Sequence, residues 1–108
     1  MDCSRIHAVA LITPALDKKD RCQQLLLDIV TKAEKTEPDT LQYQFFWVES
    51  SSEFLFLESY RNEDAFREHA SKEYIRELQE LAVTERLLAK PLDVKVFGEL
   101  VGGFTRSV

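Results

Sequence analysis

The first hydrophobic feature of the chain is Arg5–Ile12, an apolar run with β-branched members that stops at Thr13-Pro14. It predicts a buried strand, with His7, Val9 and Leu11 on one face and Ile6, Ala8, Ala10 and Ile12 on the other. From Asp17 to about Lys35 the period becomes helical. Cys22, Leu25, Leu26, Ile29, Val30 and Ala33 form an apolar stripe, and Lys18, Lys19, Asp28, Lys32 and Lys35 stay outside it. Asp17 is the expected N-cap, and Pro38 prevents the helix from running on.

Leu41–Val48 alternates again, with Leu41, Tyr43, Phe45 and Trp47 opposite Gln42, Gln44, Phe46 and Val48. A polar turn, Glu49–Glu53, leads into a returning strand in which Phe54, Phe56, Glu58 and Tyr60 alternate with Leu55, Leu57 and Ser59. Both faces of this hairpin are apolar at their centres, so both must be covered. Helices can cover one face. The other calls for a second subunit.

Asn62 is the expected cap of a second helix, with Glu63 and Asp64 in its first turn and Phe66, His69 and Ala70 on one face. Ser71 reads as a break and a fresh cap. A third helical stretch then carries Tyr74, Ile75, Leu78, Leu81 and Ala82 inward, continues to Leu87-Leu88 and ends at Pro91. Asp93–Phe97 is the last strand. The order β-α-β-β-α-β predicts an α+β fold of the ferredoxin-like kind: a split β-α-β with an antiparallel four-stranded sheet over residues 1–97. Residues 98–108 hold all three glycines and read as a tail that packs on the partner subunit.

Composition narrows the function. A chain of 108 residues forms one domain and buries a single core, so a roomy site borrows walls from a partner. The net charge of −5 and the lack of any Lys/Arg cluster argue against nucleic acid. The start of the chain lacks the pattern of a secretory signal, and no apolar run approaches the ~20 residues that span a bilayer. Cys3 and Cys22 lie in no C-x-x-C pair and are expected as free thiols. These features together predict a cytoplasmic protein that binds no membrane.

No glycine precedes Gly98, so no glycine-rich loop can cradle a pyrophosphate. Only His7 and His69 offer imidazoles, and their spacing suits no metal site. What remains is one acid, one imidazole and a set of aromatics. Glu58 lies on a mostly apolar strand face, where a charge needs a partner or a proton. His69 lies beside Phe66 on the helix face turned toward the sheet, and the two groups could share acid and base work near neutral pH. In a purely structural role Glu58 pairs with Arg5, Arg61 or a backbone amide, and His69 is a core-edge residue with one satisfied hydrogen bond.

Read as a unit, Glu58-Ser-Tyr60-Arg-Asn-Glu-Asp-Ala-Phe66-Arg-Glu-His69 resembles the antibiotic biosynthesis monooxygenase family of small dimeric α/β-barrel proteins. That family shows a strand ending in Glu-x-aromatic, a polar turn, a helix with an inward aliphatic or aromatic residue, and a His eleven positions after the Glu. Pro38-Asp-Thr-Leu41-Gln-Tyr43 resembles the family's loop into the second strand, with Asp39 in place of the usual glycine. The resemblance covers about residues 5–97.

It implies a homodimer, no cofactor, no metal, and a small apolar or aromatic ligand. The haem-degrading branch places an Asn on the first strand, whereas Asn62 is the only Asn here, so haem degradation is not expected. The expected function is a cofactor-independent monooxygenase, or a related acid–base enzyme, acting on a small aromatic, quinol or polyketide-like substrate. His69, Tyr60 and Glu58 would be catalytic. Tyr43, Phe45, Trp47, Phe56, Phe66, Tyr74 and His7 would bind substrate, with Tyr43, Tyr60 or Tyr74 as donor to a developing oxyanion. The alternative is a non-catalytic dimeric module that binds an apolar ligand or a partner protein.

Overall fold

A computed structural model describes residues 5–108; Cys3, expected as a free thiol, lies outside them. The elements are β1 (Ile6–Ile12), α1 (Lys19–Thr36), β2 (Thr40–Val48), β3 (Glu53–Tyr60), α2 (Glu63–Ala70), α3 (Glu73–Thr84) and β4 (Asp93–Phe97). The strands form one antiparallel sheet in the order β2-β3-β1-β4, the ferredoxin-like arrangement that the hydrophobic pattern predicts.

Alternation decides which side chains face the helices. Ala8 and Ala10 of β1 lie between Glu58 and Phe56 of β3 and Val96 and Val94 of β4. On the far side of β3, Tyr43, Phe45 and Trp47 pair with Glu58, Phe56 and Phe54. The core forms where α1 meets this face, from Ala10, Cys22, Leu26, Ile29, Phe54, Phe56 and Leu87. Two features keep it from closing. The central strand presents alanines where larger residues would fill space, and α3 has no fully buried residue.

The structure corrects several local expectations. Asp17 is not the N-cap: it takes a left-handed φ of 67° in the preceding turn, and Lys18 occupies the cap position. Ser71 ends α2 instead of starting α3, and its Oγ donates to the Glu68 carbonyl. The third helix stops at Thr84, well before Pro91. There the Leu87 N–H reaches back to Ala82 O, with Arg86 left-handed at φ 53°, and the buried Leu87 side chain locks the end. Such a stop normally carries glycine, so an arginine hides it from a sequence reading. Leu87 and Leu88 run extended beside Thr13–Ala15.

Asn62 does cap α2, its Oδ1 accepting from Ala65 N–H at 2.9 Å. Asn62→Ala is expected to cost about 1 kcal/mol of stability, read as a lower urea midpoint, and a midpoint equal to the parent's would remove the cap from the account of how α2 is held.

The other sheet face carries Val9, Leu11, Leu55, Leu57, Phe46, Val48 and Phe97, and no helix among the described residues covers it. Phe46 and Phe97 are each 51% exposed at its two edges. The 98–108 segment is exposed throughout and has no regular structure, with Leu100, Val101 and Phe104 facing outward. No helix is long and apolar enough to cross a membrane among the described residues.

Candidate functional site

Beneath α2 and α3, over Ala10 of β1, lies a cavity of about 180 Å³. Tyr43, Phe56, Glu58, Phe66 and His69 form its inner wall, and Leu92 and Val94 stand at its outer side. Each site residue has a local cause. Strand alternation turns Glu58 and Phe56 inward, and Phe66 and His69 share the inner face of α2, three residues apart.

His69 is 6% exposed, and its Nδ1 donates to Glu37 Oε1 at 2.7 Å. Glu37 is also buried, in the turn between α1 and β2, where it accepts from Thr40 Oγ1 at 2.7 Å and from the Tyr74 hydroxyl. Three donors on one buried carboxylate hold the imidazole in a single orientation. Nε2 is thereby left without a hydrogen-bond partner among the described residues. The Tyr43 ring meets the imidazole edge-on, 4.8 Å between centroids, and Tyr60 packs against it at 5.4 Å.

A β-bulge supplies part of this arrangement. Thr40 pairs with Tyr60 and Gln42 with Ser59, so Leu41 is an extra residue on β2. Simple alternation would put Leu41 on the site face, but the bulge turns Thr40 there, and Leu41 is 37% exposed. Neither Glu37 nor Thr40 was identified from the sequence. The only signal for Glu37 is an acid directly before Pro38, at the head of the motif loop.

The second carboxyl is handled differently. Glu58 accepts a 2.5 Å hydrogen bond from the Tyr60 hydroxyl. Burial is the largest effect on it and, opposed by that hydrogen bond and by His69, still lifts its carboxyl above the ordinary range. Burial, with Glu58 and then Glu37 adding to it, also pushes the Tyr43 phenol far up, so Tyr43 stays protonated at any physiological pH. Its hydroxyl has no partner among the described residues. For Tyr60, burial and then Glu58 act in the same direction.

Because the native state prefers protonated Glu58, its contribution to folding is complete below the unfolded-state pKa, about 4.3. It is lost as pH rises through the higher native value. Glu58→Gln cannot ionise and keeps an acceptor for Tyr60. Its stability is therefore expected to gain on the parent's between pH 5 and pH 8, followed as urea midpoints at one protein concentration. A gap that stays constant over that range would remove Glu58 as the source.

The structure brings together Glu58, His69, Tyr43, Phe56 and Phe66 of the sequence-derived set. Tyr60 is fully buried behind Glu58, and Tyr74 gives its hydroxyl to Glu37, so both support the wall without forming it. Phe45 and Trp47 lie farther along β2, against Phe56 and Phe54. His7 is on the opposite sheet face, its Nδ1 2.9 Å from Ser59 Oγ and its ring stacked on Phe97. Odd-numbered positions of β1 cannot reach the cavity, which corrects His7 as a substrate-binding residue. Among the described residues no group of three or more His, Cys, Asp or Glu side chains is placed to hold a metal.

A family model described as antibiotic biosynthesis monooxygenase matches residues 5–81, which carry β1 to the first nine residues of α3 and the polar residues of the site. The chain belongs to the antibiotic biosynthesis monooxygenase family. Solved structures share this family member's fold at low identity. A Caulobacter crescentus protein, provisionally named an antibiotic biosynthesis monooxygenase, is 21% identical, with 90% of this chain and 91% of that one covered and a TM-score of 0.79. Proteins from Mycobacterium tuberculosis and Pseudomonas aeruginosa are 24% and 20% identical, at TM-scores of 0.78 and 0.80. The first alignment covers 94% of this chain and 100% of that one, the second 94% and 99%. No functionally curated protein matches the chain.

Proposed function

We propose that this family member is a cofactor-independent oxygenase of a small, electron-rich phenol or hydroquinone, with His69 as the base. The observation that carries the reading is the Glu37–His69 pair in the wall of an apolar cavity. Glu37 holds the Nδ1–H tautomer, which makes Nε2 the basic nitrogen. Nε2 takes the hydroxyl proton of the substrate, and Tyr43, whose own proton is firmly held, donates to the oxygen that becomes anionic. The aromatic lining excludes water, so the electron-rich anion itself delivers electrons to O₂. Glu37 is a positioning residue. Glu58, held toward its neutral form, keeps a second negative charge from building beside the substrate anion.

The same reading includes the assembly. The uncovered sheet face takes a second copy of the chain, which buries Leu55, Leu57, Val9 and Leu11 of both. The exposed 98–108 segment packs on that partner. The direct test is oxygen uptake by purified, cofactor-free protein over a panel of phenols and hydroquinones. Uptake above the spontaneous rate for at least one ring type is expected. Tight ligand binding without uptake across the panel would instead favour a non-catalytic binding module.

A further inference from the structure

The cavity beside His69 is not closed at its far end. A second lobe of about 190 Å³ lies between α1 and α3, and Ile12, Leu26, Leu78, Gln79 and Leu92 line both. The two lobes are therefore one groove with unlike ends. The inner end holds every hydroxyl, carboxyl and imidazole of the wall. The outer lobe is lined by Leu25, Ala82, Val83, Leu87 and Leu88, with Cys22 and Gln79 as its only polar side chains. The Cys22 thiol is already directed to the Leu87 carbonyl, 3.6 Å away. Along α1 the groove runs from Cys22 to Ile29, a rise of ~10 Å at 1.5 Å per residue.

We infer that the ligand is an amphiphile: a neutral hydroxyl-bearing ring at His69 and Tyr43, carrying one unbranched aliphatic arm that lies between α1 and α3. This rests on the phenol reading above for its head group and adds the arm. Three observations select this occupant. The aromatic side chains of the wall, Tyr43, Phe56 and Phe66, are confined to the inner end, while the outer lobe is lined by aliphatic side chains apart from Cys22 and Gln79. A polar substituent on the arm beyond Gln79 would be desolvated there without a partner, since the Cys22 thiol is already engaged. Among the described residues no Lys or Arg lines either lobe, so a permanently anionic head such as a fatty carboxylate would be buried with no cation to pair it. Leu78 and Gln79, one turn above Tyr74 and Ile75 on α3, line both lobes and so stand where ring and arm would join.

The test is isothermal titration calorimetry of the full-length protein with phenol and its para-ethyl, para-butyl and para-octyl derivatives near neutral pH. Burial of each added methylene should tighten binding roughly fourfold until the groove is filled. The Ala82→Phe variant, which places a ring in the outer lobe, should bind para-octylphenol no more tightly than para-ethylphenol. Affinity that is flat along the series in the parent protein would overturn the inference, including the case in which the 98–108 segment of a second copy fills the lobe. A chain-length gain that persists undiminished in Ala82→Phe would overturn it too, by placing the arm elsewhere. If the variant does not fold, the series on the parent, repeated with tert-butylphenol, decides. An unbranched groove predicts that para-butyl binds more tightly than para-tert-butyl, and equal affinities count against it. These readouts are affinities, so loss of the proton-abstraction reading would show separately, as absence of oxygen uptake with chain-length dependence intact.

Discussion

In a His69→Gln variant, oxygen uptake on the best phenol or hydroquinone is expected to fall by about 10²–10⁴-fold, the usual worth of a positioned base. Glutamine is the informative replacement. Its amide N–H₂ can donate to Glu37 Oε1 in place of Nδ1–H, so the buried carboxylate keeps three donors. Alanine would leave that carboxylate short of a donor and mix a folding cost of several kcal/mol with the chemical one. With the fold kept, KM should change little and kcat should carry the loss, because the ring is held by Tyr43, Phe56 and Phe66. Circular dichroism and the thermal midpoint would check the fold. A rate that stays within about threefold of the parent's would remove His69 as base and leave it as a member of the α2–β2 contact.

Leu57→Glu should convert the proposed dimer to monomers. Leu57 lies at the centre of the uncovered sheet face, opposite Val9 on one neighbour and Gln44 on the other. In a symmetric pair of sheets this puts two carboxylates into one desolvated layer. At roughly 2 kcal/mol or more for each buried, unpaired polar group, dimerisation weakens by at least ~10³-fold. Sedimentation velocity over a range of concentrations reads this directly. In the monomer the same glutamate faces water, so the far-ultraviolet spectrum should be unchanged. A variant that sediments as the parent does would show that this face is covered by something other than a second copy.

How far each of these residues was legible in the sequence follows from the range of the interactions that place it. Strand alternation and helical periodicity depend only on near neighbours along the chain. They locate β1 to β4, the inward faces of α1 and α2, and the Asn62 cap. They also put Glu58 and His69 on faces that meet, since both belong to one short strand–turn–helix unit. Features that depend on exceptions to those periods were not legible. The bulge at Leu41 exchanges Leu41 for Thr40, and the left-handed Arg86 ends α3 early. His7 is a chemically suggestive residue whose position on β1 turns it to the other face.

By itself, then, the sequence determined the order of elements, the antiparallel sheet and the family motif, because hydrophobic periodicity and a contiguous motif are local properties. Only the tertiary structure decided that Glu37 is the partner of His69. Those residues stand 32 positions apart, and no periodicity links an acid at a helix end to an imidazole on another helix. The groove was likewise a tertiary outcome. It exists because Ala10 is small beneath a helix, α3, that fully buries no side chain, and empty space between elements has no letter in a sequence.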